Sequence, residues 1–296
     1  MINITFLGTS CMQPTKTRNH SSFLLQYKNE NILFDCGEGI QRQMRLTGIK
    51  PAKITRLCIS HWHGDHVFGI PGLMSSMGAD QFARKLYIYG PHGTKKYIDH
   101  MFKSFASNDI IPYEVKEVSS GIFFENDDFV LLSEPLKHSV LCIGFSFIEK
   151  SKFRINVTKA KELGLSGPIL GILQQGKDIV VQGKKIKAEN VTYEVQGKKV
   201  SYVADTVLCN GAHALAQNAD VLISEGTHLS DIAKKVGKYM HLTVKDAALL
   251  ASENSVKKLV ITHISQRYKN THEIVSEART YFDNTIVAED FMKLKV

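Results

Sequence analysis

The run Ile54-Thr55-Arg56-Leu57-Cys58-Ile59-Ser60, followed at once by His61-Trp62-His63-Gly64-Asp65-His66, is the most informative stretch of the 296-residue chain. Its first part is short and apolar at its centre, as expected of a buried strand. Three imidazoles and one carboxylate then fall within six residues. In extended chain, residues two apart share a side. His61, His63 and Asp65 therefore face together, and a turn brings His66 around. A single catalytic zinc usually takes three protein ligands and leaves a position open for water. Four donors of two chemical types in one loop are too many for that, and the economical reading is two ions sharing the loop.

Two ions need further ligands from elsewhere in the chain. His138 follows a strand-like segment at 130–134, Asp205 follows 200–204, and His263 ends 258–262. Each is a ligand-type residue at the exit of an apolar strand, where layered α/β folds place their chemistry. A carboxylate such as Asp205 can bridge two cations. The imidazole-rich, mixed nitrogen and oxygen set suits Zn²⁺ best, with Mn²⁺ or Fe²⁺ as alternatives. His20, His92, His100, His213, His228 and His272 read as ordinary satisfied histidines.

Outward from the loop, strands are expected at 2–7, 22–27, 31–35, 85–90, 130–132, 143–148, 199–203, 221–225 and 258–263. Helices fit 39–47, a segment from Gly69, 92–104, 211–217, 243–254 and 271–282. Helices between strands in both halves suggest an α/β architecture of two sheets with outer helices, an αββα sandwich. Periodicity alone does not separate it from other layered α/β folds. Residues 150–194 break the pattern: they show little core periodicity, carry several glycines, and hold more lysine and arginine than acid. A stretch this long inside a compact domain reads as a functional protrusion or a small subdomain, not a simple loop.

Composition narrows the class. Apolar residues make up 43% and charged residues 22%, as in ordinary globular proteins. The five dispersed cysteines argue against a disulfide framework and against a cysteine-rich zinc site. No membrane association is expected, because no apolar run is long enough to span a bilayer. The N-terminus lacks the features of a signal peptide, so a cytoplasmic location is expected. The formal charge of +8 and pI of about 9.1 favour a polyanionic partner, nucleic acid first.

The His61–His66 signature resembles the metallo-β-lactamase superfamily. Across nearly the whole chain the motifs are similar to the ribonuclease Z family of tRNA 3′-processing endonucleases, in its short form. Leu7-Gly8-Thr9-Ser10 resembles that family's opening strand and turn, and Pro14-Thr15-Lys16-Thr17-Arg18-Asn19 its PxKxRN loop. Phe34-Asp35-Cys36-Gly37-Glu38-Gly39, Ala204-Asp205-Thr206 and the segment from Thr262 to Tyr268 match further motifs. The insert at 150–194, with Gly167-Pro168 and Leu173-Gln174-Gln175-Gly176, looks like the family's flexible tRNA-gripping arm. Two departures stand out: Ser224-Glu225-Gly226-Thr227 where the family has His-Glu-Ala-Thr, and His241-Leu242-Thr243 where it has His-Ser-Thr.

The resemblance implies a single metallo-β-lactamase-like domain over 1–296 with the arm inserted, and two Zn²⁺ per subunit. One ion would lie on His61, His63 and His138, the other on Asp65, His66 and His263, with Asp205 bridging. Asp65 would orient the attacking water or accept its proton, and His241, held by Glu225, would protonate the leaving 3′-oxygen. Lys16, Arg18, Arg267, Gly167 and Pro168 would contact substrate. The implied partner is precursor tRNA, cut to leave a tRNA 3′-OH and a trailer 5′-phosphate, by a homodimer in which one subunit's arm serves the other's centre. Two rival readings remain: a small-molecule hydrolase on the same metal core, and an RNA-binding module with a structural metal. The basic insert argues against the first. The open coordination positions argue against the second, because structural zinc is usually a closed cage.

Overall fold

A computed structural model of the chain describes residues 1–106, 111–181, 183–232 and 239–296. Gln182, inside the basic insert, therefore lies outside the described residues. The chain opens on an antiparallel meander of β1 (Asn3–Gly8), β2 (Ser22–Tyr27) and β3 (Glu30–Phe34). After α1 (Ile40–Leu46) comes β4 (Arg56–Cys58), and the metal loop runs from it into α2 (Gly64–Val67). Then follow α3 (Ile70–Ala79), β5 (Leu86–Gly90), α4 (Thr94–Lys103) and β6 (Tyr113–Glu117), with β3 to β6 paired in parallel.

The next strands are β7 (Gly121–Glu125), β8 (Phe129–Lys137) and β9 (Leu141–Glu149). The insert supplies β10 (Lys152–Ile155), α5 (Val157–Glu162), α6 (Ile169–Gln174), β11 (Ile179–Val181), β12 (Lys184–Ile186), α7 (Ala188–Val191) and β13 (Thr192–Val195). The remainder holds β14 (Lys199–Val203), α8 (Asn210–Ala216), β15 (Val221–Glu225), α9 (Val244–Glu253), β16 (Leu259–Thr262), α10 (His272–Tyr281), β17 (Thr285–Val287) and β18 (Lys293–Lys295). Among the described residues these make two seven-stranded sheets, ordered β18-β1-β2-β3-β4-β5-β6 and β17-β16-β15-β14-β9-β8-β7.

The strands near the sheet centres are apolar on both faces because both faces are covered. Leu24 of β2, Leu33 of β3, Leu57 of β4 and Ile88 of β5 pack against Ile40, Met44, Leu73, Met74 and Ile98 of the outer helices. Alternate residues point the other way, onto the second sheet. Phe23 meets Tyr202 edge-on at 5.1 Å, Phe34 meets Phe145 at 5.7 Å, and Tyr27 meets Phe147 at 5.3 Å. Against the second sheet's outer side, α8 and α9 bury Ala212, Leu215, Ala247, Leu250 and Ala251. The expected αββα sandwich is the fold. No described helix is long and apolar enough to cross a membrane.

Several boundaries differ from expectation. The strand expected at 54–60 is only Arg56–Cys58, because Ile54 closes a 3-10 turn that starts at Pro51. Ser60 leaves the ladder to bond Asp35. Strands β8 and β9 run to nine residues each, longer than their apolar centres suggest. Strands β6, β7, β17 and β18 had no counterpart in the sequence pattern. The charged residues of β6, Glu114, Lys116 and Glu117, fit the sheet edge it occupies.

The chain divides into two compact units. One comprises Met1–Phe124, Leu131–Phe147 and Lys199–Val296. The other comprises Glu125–Val130 and Ile148–Lys198, a wider span than the insert at 150–194. In this second unit β10 and β13 pair antiparallel from Lys152↔Val195 to Ile155↔Thr192. Strands β11 and β12 form a hairpin, and Ala160, Leu165, Leu173, Ile179, Ala188 and Val191 form a small core. The insert thus has regular structure although its sequence shows little core periodicity. Its elements are three to six residues long, too short for hydrophobic periodicity to register.

Candidate metal centre

The centre is assembled from strand ends. His61 and His63 lie between β4 and α2, while Asp65 and His66 lie within α2. His138 follows β8, Asp205 follows β14, and His263 follows β16. Most of these are the C-terminal ends of parallel strands, where layered α/β folds open their ligand crevices. Two bends at strand ends use an unusual backbone: Asp35 and His263 adopt left-handed φ values of 55° and 60°. For non-glycine residues such angles are concentrated at functional sites, held in place by surrounding contacts.

The side chains converge as two groups around Asp205. In the first, His63 Nδ1 lies 3.1 Å from His61 Nε2 and 3.2 Å from His138 Nε2. Asp205 Oδ2 completes it, 3.7 Å from His61 Nε2 and 4.0 Å from His138 Nε2. In the second, His66 Nε2 lies 3.3 Å from His263 Nε2 and 3.5 Å from Asp65 Oδ2. Asp205 Oδ1 faces this group, 3.6 Å from His66 Nε2 and 3.4 Å from His263 Nε2. One carboxylate therefore offers a different oxygen to each group.

A surrounding layer orients the imidazoles. The Asp35 carboxylate accepts from Ser60 N at 2.7 Å, and from Ser60 Oγ, His66 Nδ1 and Tyr202 OH at 2.8 Å each. With its proton on Asp35, Ser60 Oγ accepts from His61 Nδ1 at 3.0 Å. Thr227 Oγ1 donates to Glu225 at 2.7 Å and accepts from His263 Nδ1 at 2.8 Å. His138 Nδ1 donates to the Met240 carbonyl at 3.1 Å. This network assigns the Nδ1–H tautomer to His61, His66, His138 and His263, with each Nε2 turned to the centre. A second hydrogen bond that fixes tautomer and ring angle is characteristic of metal-ligating histidines.

The donor chemistry fits divalent cations. Converging imidazole lone pairs repel one another unless a cation lies among them. Asp65 Oδ1 and Asp205 Oδ1 are buried and have no hydrogen-bond partner among the described residues. The centre also draws positive charge to itself. Burial lowers the His66 pKa, yet Asp65, Asp205 and Asp35 outweigh it and push the group up to about 10. Burial raises the Asp65 pKa, but His66 and His263 pull it well below the usual carboxylate range. Desolvation, then repulsion from His66, drives His61 far below its ordinary value.

Beside the two groups, His241 Nδ1 lies 3.0 Å from Glu225 Oε2 and 3.7 Å from Asp205 Oδ2. Glu225 is fully enclosed and also accepts from Thr206 N at 2.7 Å. Burial opposes its charge, and His241 with its hydrogen bonds draws it down to about 2. Burial likewise opposes charge on His241, and Glu225 and Asp205 raise it to about 9. The two departures from the family motifs leave Glu225, Thr227 and His241 in place. His63, Asp65, His138, Asp205, His241 and His263 share an open cavity of about 470 Å³ with Arg267.

The remaining expected substrate residues are placed differently. Lys16 is exposed. Arg18 turns inward: its Nη1 donates to Thr9 Oγ1 and to the Ala288 carbonyl, both at 2.6 Å. Gly167, with a φ of 71°, and Pro168 form an exposed turn in the second compact unit. Sequence reasoning gave no role to Asp35, Ser60, Thr227 or His228. Asp35 carried a usable signal, because it is an acid at the exit of an apolar strand, the same feature that singled out Asp205. His228 reads in the sequence as an ordinary histidine, yet it lines this cavity, and its Nδ1 is buried with no hydrogen-bond partner among the described residues.

Comparison with known proteins bears on family and fold. The family described as "Anti-Pycsar protein Apyc1" matches residues 2–109, less than half of the chain. Over its full length the chain is 41% identical to a ribonuclease Z from Methanothermobacter thermautotrophicus, covering 97% of that protein. It is 37% identical to one from Listeria monocytogenes, covering 99%. The structure matches human tRNase Z, short form, with a TM-score of 0.74, 27% identity and 99% of each chain covered. The metallo-β-lactamase fold protein YhfI from Bacillus subtilis shares the fold, with a TM-score of 0.71 at 19% identity. With full-length identity at this level to several curated relatives, the chain belongs to the ribonuclease Z family, on the metallo-β-lactamase fold.

Proposed function

We propose that this protein is a zinc-dependent endoribonuclease that removes the 3′ trailer from precursor tRNA, leaving a tRNA 3′-OH and a trailer 5′-phosphate. The observation that carries the reading is the division of Asp205 between two donor groups beside a Glu225–His241 pair. His61, His63 and His138 would hold one ion, Asp65, His66 and His263 the other, with Asp205 bridging. When bound, two such ions polarise a phosphodiester and make water acidic enough to attack at neutral pH.

The chain's own groups do the rest. Asp65 presents Oδ1, which has no partner among the described residues, and can accept a hydrogen bond that orients the attacking water. Glu225 holds the Nδ1–H of His241, so Nε2 is the nitrogen that delivers a proton to the departing ribose 3′-oxygen. Arg267 lines the same cavity and offers a cation to the substrate phosphates. Lys16 and the Gly167-Pro168 turn are assigned to substrate contact on family grounds. Arg18 would act by shaping its loop through Thr9 and Ala288. A homodimer and a cytoplasmic location belong to the same proposal, and light scattering of the purified protein tests the first.

The test is incubation with a precursor tRNA carrying a 3′ trailer, with both new ends mapped. Cleavage at the trailer junction with a 3′-OH and a 5′-phosphate supports the reading. Binding without cleavage, or a 2′,3′-cyclic phosphate product, contradicts it.

A further inference from the structure

A second charged cavity lies away from the metal centre. It is formed where the β2–β3 turn, the segment after α1, the 3-10 turn before β4 and the approach to β5 come together, and it encloses about 600 Å³. Lys28, Lys50, Lys53 and Arg84 line it, together with the amide side chains of Asn29 and Asn31. Strands β3, β4 and β5 run in parallel. The metal loop follows the C-terminal end of β4, whereas the cavity gathers the chain at the N-terminal ends of the same strands. At about 3.3 Å per residue, β3 alone separates the two ends by about 15 Å.

Three of the lining cations, Lys50, Lys53 and Arg84, have no carboxylate partner among the described residues. No carboxylate lines it among the described residues. The nearest acid in sequence is Glu30, and its Oε2 is taken by Arg56 Nη1 and by Thr55 Oγ1. Neither Lys50 nor Lys53 has an ion pair among the described residues. Arg84 spends one guanidinium nitrogen on the Ala52 carbonyl at 3.0 Å. Cations grouped around a concavity repel one another and focus a positive potential that attracts polyanions. Arginine and lysine side chains with amide donors beside them are the groups that bind phosphate oxygens. The volume falls within the range of about 300–1,000 Å³ typical of ligand pockets.

We propose that this cavity is a phosphate-binding site, separate from the metal centre, for a multiply charged phosphate ligand. That chemistry has two sources, a small polyphosphate or the backbone of an RNA strand. The site does not depend on the nuclease reading, since none of its residues belongs to the metal centre.

The experiment maps backbone amide shifts of the zinc-loaded protein during two titrations. One probe is inorganic tripolyphosphate, added as its magnesium salt. The other is a blunt RNA duplex of ten base pairs with no single-stranded tail. Each is repeated on the triple variant Lys50→Ser/Lys53→Ser/Arg84→Ser, with hydrolysis of bis-p-nitrophenyl phosphate as the control for an intact metal centre. Saturable shifts at Asn29, Gly48 and Ile49, weakened on the order of tenfold in the variant, support the site. A response to tripolyphosphate alone assigns it to a small ligand, and a response to the duplex assigns it to RNA. If neither probe moves these amides in the unsubstituted protein, the proposal is wrong, whether or not the variant folds. Equal affinity of the protein and a folded variant overturns it as well.

Discussion

Asp35 accepts four hydrogen bonds at the heart of the centre, and two of them determine how His61 and His66 present their Nε2 atoms. Replacing it with alanine strands Ser60, His66 and Tyr202 as buried donors, at about 1–3 kcal/mol each. Zinc affinity of Asp35→Ala should fall about 10–100-fold by competition with a chromophoric chelator. Tyr202→Phe, which removes one bond outside the imidazole chain, should lower stability by about 1 kcal/mol and keep zinc affinity within a few-fold. Unchanged affinity in Asp35→Ala would remove its assigned role. His241 gives a second prediction. Raised to about 9 by Glu225 and Asp205 against burial, it is protonated below that pH and loses its proton above it. Turnover that depends on this proton therefore declines as pH rises through about 9. His241→Ala should lose about 10²–10⁴-fold in turnover and also lose that alkaline limb, with zinc content unchanged by mass spectrometry. Loss of zinc with the activity would instead make it a ligand. The convergence of the seven candidate ligands was legible because their residue types are rare together at strand exits. The orienting layer was not, because serine, threonine and a main-chain carbonyl are too common to stand out.

Elements position these residues through close approaches that only small residues permit. A Cβ on Gly37 would stand 2.4 Å from His20 Cβ and 2.6 Å from the Asp65 carbonyl oxygen. Gly37→Ala should therefore push the 36–38 turn against the metal loop, lowering both the melting temperature and the bound zinc. Gly171, inside α6, has nothing within 4 Å of where its Cβ would be. Gly171→Ala should be neutral or stabilising by up to about 1 kcal/mol. Calorimetry that found the two variants alike would refute this account of the turn. The same close-packing explains which elements sequence could show. Strands covered on both faces, such as β2 and β15, give continuous apolar runs and were anticipated. Edge and terminal strands such as β6 and β18 alternate with charge or span only three residues, so they resemble loops.

At the scale of the whole molecule, the net charge of +8 and the compact second unit fit the long polyanionic substrate of the proposed function. Because Ile155 and Thr192 are paired across β10 and β13, residues 156–191 can be replaced by a two-residue turn without parting the strands. That deletion should lower kcat/KM for precursor tRNA at least about 100-fold and flatten its salt dependence. Hydrolysis of bis-p-nitrophenyl phosphate should be unchanged, and equal loss on both substrates would contradict the assignment of the insert to tRNA. In the proposed mechanism, two ions divided by Asp205 carry out the cleavage. The decisive experiment adds zinc stepwise to chelator-stripped protein and measures single-turnover cleavage of a trailer-bearing precursor. Cleavage should reach its plateau at two equivalents per subunit and be abolished in Asp205→Ala. Full cleavage at one equivalent or with none, or an Asp205→Ala protein that still reaches the same plateau, would contradict the mechanism.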